Sequence, residues 1–352
     1  MVGVHILFPN EIEDAAKLVN SNGGDWGYVT IPIQANDKDL VKWQKFMDDA
    51  KRLHIIPIIR LATEPDPNNT NVWRIPNPYD IVDFANFLNS LDWPTENRYV
   101  IIFNEVNRYD EWGGQPPDPA TYADLLSYAV DAFKVRNGNF FVISAGLDNA
   151  APNDGVKYIG NFQYLEAMQE HNADVFQKID GIGSHSYPNP GFIQPPTSQA
   201  AMSIDTYNYE YDLINAGNTQ KKPIFITETG WDASTLGNTT TAQYYKDAFE
   251  NVWGADRDKI VAVTPFLLDA GAGPFDKFSF LQNGQPSKFY TAVAQVPKTK
   301  GDPVLEKDAT STVLAAHTQT PVYLSSDIVP INSYDTTMPP FLKLYFKALL
   351  GL

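Results

Sequence analysis

The chain has no cysteine among its 352 residues. Disulfides and thiolate metal sites are therefore excluded, while the redox compartment stays open, because a cysteine-free chain folds in either setting. Histidine is scarce too: His5, His54, His171, His185 and His317 are the only five. None forms an H-x-H or H-E-x-x-H spacing, His54 precedes a strand on the wrong face and His171 sits in a helix, so no metal site built from several imidazoles is expected. Positive charge is short as well. Lys and Arg number 26 against 42 Asp and Glu, a formal net charge of −16. That balance argues against nucleic acid, whose phosphates need clustered Lys and Arg, and against anionic membrane surfaces, and it suits a neutral substrate. No apolar run reaches the roughly 18 residues that span a bilayer. Nor does a basic-then-apolar leader precede the first strand-like run at Val4–Phe8. So abrupt a start leads us to expect a targeting segment already removed and a protein working outside the cell or in its envelope, with the cytoplasm as the alternative.

What the chain does carry is an alternation of two periodicities. Strand-like runs occur at Val4–Phe8, Tyr28–Ile33, Ile55–Leu61, Tyr99–Asn104, Phe140–Ala145, Gly181–His185, Pro223–Thr227 and Ala262–Leu268. Most are short and β-branched, as in parallel strands buried on both faces. Amphipathic stretches fall between them near 11–20, 38–52, 79–91, 120–136, 161–177, 199–216 and 240–253, with a short eighth near 286–294. Leu40, Trp43, Phe46, Met47 and Ala50 show the helical spacing well. Eight strand–helix units predict an α/β fold of the closed (β/α)8 TIM-barrel type. An open doubly wound sheet fits less well, since the first turn reads Pro9-Asn10-Glu11 and not G-x-G-x-x-G.

The connections are asymmetric. Those after strands (62–78, 106–119, 146–160, 186–198, 229–239 and 269–285) are long and rich in Pro, Gly, Asn and aromatics, whereas helix-to-strand links such as Arg136-Asn137-Gly138-Asn139 are short. In a barrel, chemistry belongs to the strand-to-helix face. The Gly-rich Asp269-Ala270-Gly271-Ala272-Gly273 has no adjoining basic residue and reads as a flexible loop, not a phosphate cradle. Beyond residue 297 the composition turns to Thr, Ser, Pro and Asp, with one strand-like run at Pro321–Leu324, and ends in the apolar Phe341–Leu350. We expect a catalytic barrel over 1–297 and a small extension over 298–352 that packs on it. A helix docked on the barrel's outside is the expectation for the last segment, and a juxtamembrane or partner-binding helix the alternative.

Two acids stand directly after strand-like runs: Glu105 in Ile101-Ile102-Phe103-Asn104-Glu105-Val106-Asn107, and Glu228 in Ile224-Phe225-Ile226-Thr227-Glu228-Thr229-Gly230-Trp231. A carboxylate closing a buried apolar strand is poorly solvated, and folding gains little from it. Either alone could serve an ion pair or a loop hydrogen bond. Two of them, closing the fourth and seventh strands, lie across a barrel mouth from each other and suit glycoside cleavage. That reaction needs one carboxyl to protonate the departing oxygen and one carboxylate to attack the anomeric carbon or to activate water.

With these motifs the chain resembles clan A of the glycoside hydrolases over roughly 1–297. Asn104-Glu105 is similar to the clan's strand-4 signature, and Thr227-Glu228-Thr229-Gly230-Trp231 resembles the strand-7 pattern, especially of family 17, the β-1,3-glucanases, and also of families 39, 53 and 5. The resemblance implies a retaining O-glycosyl hydrolase with Glu105 as acid/base and Glu228 as nucleophile. It further implies that Arg60 steadies the nucleophile, that Asn104 binds the sugar's 2-hydroxyl, that Tyr187 donates to Glu228, and that His185 lies beside Glu105. The clan's strand-8 Trp is missing: the segment reads Thr264-Pro265-Phe266-Leu267-Leu268-Asp269, leaving Phe266 as nearest aromatic and Trp231 as a substitute floor. Asp232 stands where family 17 has Pro, so no family follows.

Sugar rings stack on aromatics, which makes Trp73, Trp112, Trp231 and Tyr109 candidate binding residues, with Trp43 and Trp253 left to the core. The expected substrate is an oligo- or polysaccharide, cut internally at a β-linkage as in a β-glucan. No cofactor, metal, nucleic acid or obligatory protein partner is expected. Transglycosylation with the same residues and a non-catalytic carbohydrate-binding barrel are the alternatives; product analysis with an added acceptor separates the first, and absence of turnover on any glycan would favour the second.

Overall fold

The structure, a computed structural model, describes residues 1–271 and 273–306. All eight expected strands are present: β1 (Gly3–His5), β2 (Gly27–Gln34), β3 (Ile55–Ala62), β4 (Arg98–Ile101), β5 (Phe140–Ile143), β6 (Ile182–His185), β7 (Ile224–Glu228) and β8 (Ile260–Val263). Pairing is parallel throughout these eight, β1 to β5 forming one arc and β6 to β8 another. The bridges Ile143↔Gly181 and Val2↔Val263, with Ser144 N donating to Gly181 O at 3.2 Å and Val263 N to Met1 O at 2.8 Å, join the arcs at both ends and close the ring.

The helices follow in step: α1 (Ile12–Val19), α2 (Leu40–Arg52), α3 (Pro78–Asn89), α4 (Pro119–Arg136), α5 (Asn161–His171), α6 (Thr206–Asn215), α7 (Asn238–Asp247) and α8 (Lys288–Gln295). Several begin where side-chain chemistry dictates. Asp39, Asn77 and Asp118 each accept two backbone N–H groups at the start of α2, α3 and α4, and Pro78 and Pro119 occupy the first turn, where no donor is missed. α2 buries Trp43, Phe46, Met47 and Ala50 of the stripe its spacing predicts and leaves Leu40, its first residue, exposed.

Several expectations were too long. The stretch near 161–177 breaks after His171 and resumes as a short turn of helix at Val175–Lys178, because Asn172 turns the chain with its own side chain on the Asp174 N–H. The stretch near 199–216 becomes helical only at Thr206, since the hydroxyl of Ser203 accepts the Asp205 N–H and that of Thr206 the Ser203 N–H, holding a turn ahead of it. β8 stops at Val263, just ahead of Pro265, which has no N–H for a ladder.

Alternation along the strands divides the interior into an apolar base and a polar mouth. Ile56 and Ile58 of β3 join Tyr99, Ile101, Ile143, Phe225 and Ala262 in one buried cluster, closed off by Trp26, Tyr28 and Phe141. Two residues further along β3, in the same register, stands Arg60. Residues 298–305 run across the base, with Gly301 N on Asp25 O and Glu96 N on Val304 O, both at 2.8 Å. They belong to the barrel's compact unit, Met1–Leu305, so that unit ends later than the expected boundary at 297. The expected strand Pro321–Leu324 and apolar helix 341–350 lie outside the described residues.

Candidate active site

β4 ends at Ile101 rather than Asn104, and the reason lies in the backbone. Phe103 has φ +67° and Glu105 φ +36°, left-handed conformations that neither side chain favours. Such outliers gather where the surroundings force a side chain into a working position. Here they swing Glu105 inward, its N–H held by Gly146 O at 3.0 Å. Opposite, β6 and β7 pair in simple register up to Ser184↔Ile226, and an irregularity then sets His185 against Glu228. Gly146 makes room for His185: a Cβ there would stand 2.1 Å from the ring's Cδ2.

These devices bring the two acids together. One oxygen of Glu105, one of Glu228 and a ring nitrogen of His185 lie within 4.8 Å of one another, the one such group of His and acids among the described residues. That gap belongs with the roughly 5–5.5 Å of double displacement and not the roughly 6.5–9.5 Å that leaves room for an attacking water. Arg60 and Tyr187 flank Glu228: the guanidinium pairs with Oε1, and the Tyr187 hydroxyl donates to Oε2 at 3.0 Å. Asn104 accepts from Arg60 Nη1 at 2.7 Å, and His185 Nδ1 stands 3.1 Å from Glu105 Oε1. The structure thus gathers these four residues around Glu105 and Glu228.

Electrostatics separates the groups. Burial by itself would keep Glu228 protonated, but His185, Arg60, His5 and the Tyr187 hydroxyl outweigh it and hold the carboxyl well below its ordinary range. His185 loses proton affinity by burial and regains more from Glu228 and Glu105, so its pKa is raised. Around Glu105, Arg108 approaches Oε2 at 3.4 Å and is itself held by Asp110 at 2.7 Å and Asp148 at 3.1 Å.

The acids open into a cavity of about 680 Å³ whose walls include Arg60, Asn104, Glu105, Glu228, Trp73, Tyr187 and Phe266. Trp73 reaches it because Pro65–Asp66 and Asn69–Trp73 form an antiparallel hairpin within the long loop after β3. Phe266, whose peptide bond to Leu267 is cis, heads an arc of edge-packed rings. It meets Phe275 at 5.3 Å and Phe278 at 6.2 Å, and Phe278 meets Phe192 at 5.2 Å, beside Tyr187.

Three expected binding residues fall elsewhere. Trp231 is fully buried among Tyr244, Tyr245 and Trp253, its indole N–H spent on Gln194 O at 2.8 Å. Trp112 is buried in the main core. Each rings an apolar surface that packing claims first, so neither is a sugar platform. Tyr109 packs against Tyr158 and Lys157, outside the cavity wall.

Sequence reasoning missed other residues. His5 is fully buried with Nε2 3.7 Å from Glu228 Oε1, and burial together with Arg60 lowers its pKa to about 3, so it is neutral. Nothing in the run Gly3–His5 signals this. Arg108, Asp110 and Glu111 crowd the loop after Asn104-Glu105, where three charges in four residues were a readable clue.

No protein-family model matches the chain, and no curated protein matches it. Solved structures do match, at the level of fold: the chain is a TIM barrel. It is similar to a family 39 glycoside hydrolase from the gut symbiont Bacteroides cellulosilyticus WH2, at TM-score 0.59 and 15% identity over 84% of this chain and 63% of that one. It is similar also to a monomeric β-xylosidase from Caulobacter crescentus CB15, at 0.62 and 16% over 87% and 70%. A family 51 α-L-arabinofuranosidase from Bifidobacterium longum follows at 0.54 and 11%, over 84% and 72%. The chain thus spans less than two thirds of the first structure's length.

Proposed function

We propose that this chain is a retaining glycoside hydrolase. The observation that carries the reading is the approach of Glu105 and Glu228 to within 4.8 Å at the wall of an open cavity. In the first step Glu228 forms a bond to the anomeric carbon while the bond to the glycosidic oxygen breaks and that oxygen takes the proton of Glu105. In the second, Glu105 removes a proton from water, whose oxygen bonds to the anomeric carbon and frees Glu228. Arg60 and Tyr187 favour an ionised, correctly aimed nucleophile. Asn104, tethered to Arg60, would take the sugar's 2-hydroxyl, the contact implied by the resemblance. The fold of the similar structures, all glycoside hydrolases, supports the same reading.

The substrate we propose is a β-linked polysaccharide such as a β-glucan, cut internally. In its support, exposed rings stand at the cavity's edge: Phe8 is 62% and Phe275 50% exposed, and each can take the apolar face of a further sugar. No charge need be matched, consistent with a neutral polymer. We propose also that the protein works outside the cell or in its envelope.

Glu228→Ala is expected to lose turnover on the order of 10⁴-fold or more while remaining folded. Glu105→Ala is expected to keep activity on glycosides with good leaving groups and to be rescued by azide as a glycosyl azide of retained configuration. An inverted azide product, seen by NMR, or full activity of either variant would overturn the assignment. Product chromatography on a glycan panel separates internal from terminal cleavage, and an added acceptor reveals any transfer.

A further inference from the structure

Glu111 is a further carboxyl on the wall of the same cavity, and neither the two-acid mechanism nor the resemblance gives it a task. It closes a short turn, Tyr109–Glu111, and its Oε1 accepts from Asn104 Nδ2 at 2.9 Å. Among the described residues it makes no ion pair. A hydrogen-bonded line thus runs from Glu111 through the Asn104 amide to Arg60 and on to the nucleophile.

We propose that Glu111 is a positioning residue of this site: it locks the Asn104 amide so that the carbonyl serves Arg60 and the remaining N–H faces the sugar's 2-hydroxyl. An Asn amide can flip, exchanging donor and acceptor, unless both ends are specified. Arg60 specifies the carbonyl end and Glu111 the amino end. In the flipped amide the NH₂ group would meet a guanidinium, donor against donor, and the support of Arg60 on the nucleophile's flank would weaken.

Either form of Glu111 can do this, since the carbonyl of the acid and the carboxylate both accept from Asn104 Nδ2. Burial and the neighbouring Glu105 push its carboxyl up to about 8, against the opposing pull of Asn104 and Arg60; Asp110 adds to the rise. The hairpin strand Asn69–Trp73 that packs on this turn carries no charge to offset them. Below about pH 8 the group therefore offers a carbonyl to Asn104 and keeps an O–H donor.

The inference rests on the glycosidase reading, and the test separates the two. The probes are an aryl glycoside turned over by the wild type and its 2-deoxy counterpart. Glu111→Gln, which supplies the same acceptor and a neutral donor, is expected within about 3-fold of wild-type kcat/KM near pH 6, whereas Glu111→Ala loses roughly 10- to 100-fold on the 2-hydroxy substrate and about 3-fold or less on the 2-deoxy one. Carbon-13 NMR of glutamate-labelled protein should show one carboxyl titrating near 8 that vanishes in Glu111→Gln, with the Asn104 amide protons following it. Equal Ala penalties on both substrates, or no such titration, would overturn the proposal. If no glycoside is turned over, the function reading fails, and the carbon-13 titration with its Asn104 response still decides for or against Glu111.

Discussion

The base and the mouth of this barrel are built from the same strands and could hardly differ more. β3 sends Ile56 and Ile58 into the base and Arg60 into the mouth; β7 sends Phe225 downward and Glu228 upward. At the base, apolar side chains fill the space, ring on ring, with Tyr99 meeting Phe141 at 5.0 Å and Phe225 at 5.4 Å. At the mouth, acids, cations and a neutral imidazole crowd together with backbone in unfavoured conformations. Stability is made at one end and held in tension at the other, and a parallel strand that points one way for its whole length lets both coexist.

This division can be broken first where it is strongest. Phe225→Ala should cost about 3–5 kcal/mol in denaturant unfolding, because a buried aromatic leaves a cavity that its neighbours fill poorly, yet activity per folded molecule should stay near wild type. A matching loss of turnover would mean that the base also sets the geometry of the mouth.

A second test uses two buried acids of opposite electrostatics. Glu228 has cations and a depressed pKa, so its contribution to stability is present above the ordinary glutamate value and lost as pH falls through the folded one. Glu210 lies between helix and barrel, accepting from Asn161 Nδ2 at 2.8 Å, and burial pushes it up to about 7, with Ser184, Asn161 and His185 only partly opposing the rise. Its sign is reversed: stability is complete below the ordinary value of 4.5 and declines as pH rises through about 7. Glu210→Gln should therefore be stabilised relative to wild type at pH 8, by on the order of 2–3 kcal/mol, and show no gain at pH 4. Thermal unfolding at the two pH values checks it; an equal effect at both would contradict this reading of Glu210.

The smallest change should fall on activity alone. Gly146→Ala forces the His185 ring to shift, since the added methyl would overlap it. Roughly 10-fold lower turnover with little change in melting temperature is expected. A large loss of stability with unchanged kinetics per folded molecule would make Gly146 part of the scaffold instead.

Much was legible beforehand. Strand runs rich in β-branched residues, caps such as Asp118-Pro119, and long loops on one side follow from local chemistry, so the order of elements, the closed barrel and the functional face could be read from the chain. Glu105, Glu228, Arg60, Asn104, His185 and Tyr187 come together because each sits at or near a strand's end, where position in the sequence translates directly into position at the mouth. Loop aromatics were harder. Trp73 lines the cavity while Trp112 and Trp231 are buried, and nothing within their own segments distinguishes the three, because burial depends on what folds back over a loop.

The sequence by itself determined the strand–helix repeat and therefore which side chains close each strand, because periodicity and capping act over a few residues. Only the tertiary structure decided that Glu105 and Glu228 share one hollow, that His5 and Glu111 stand beside them, and that two tryptophans do not. Those outcomes depend on distances between segments well separated in the sequence, set by ring closure, by the irregular register of β6 on β7 and by the close approach that Gly146 permits.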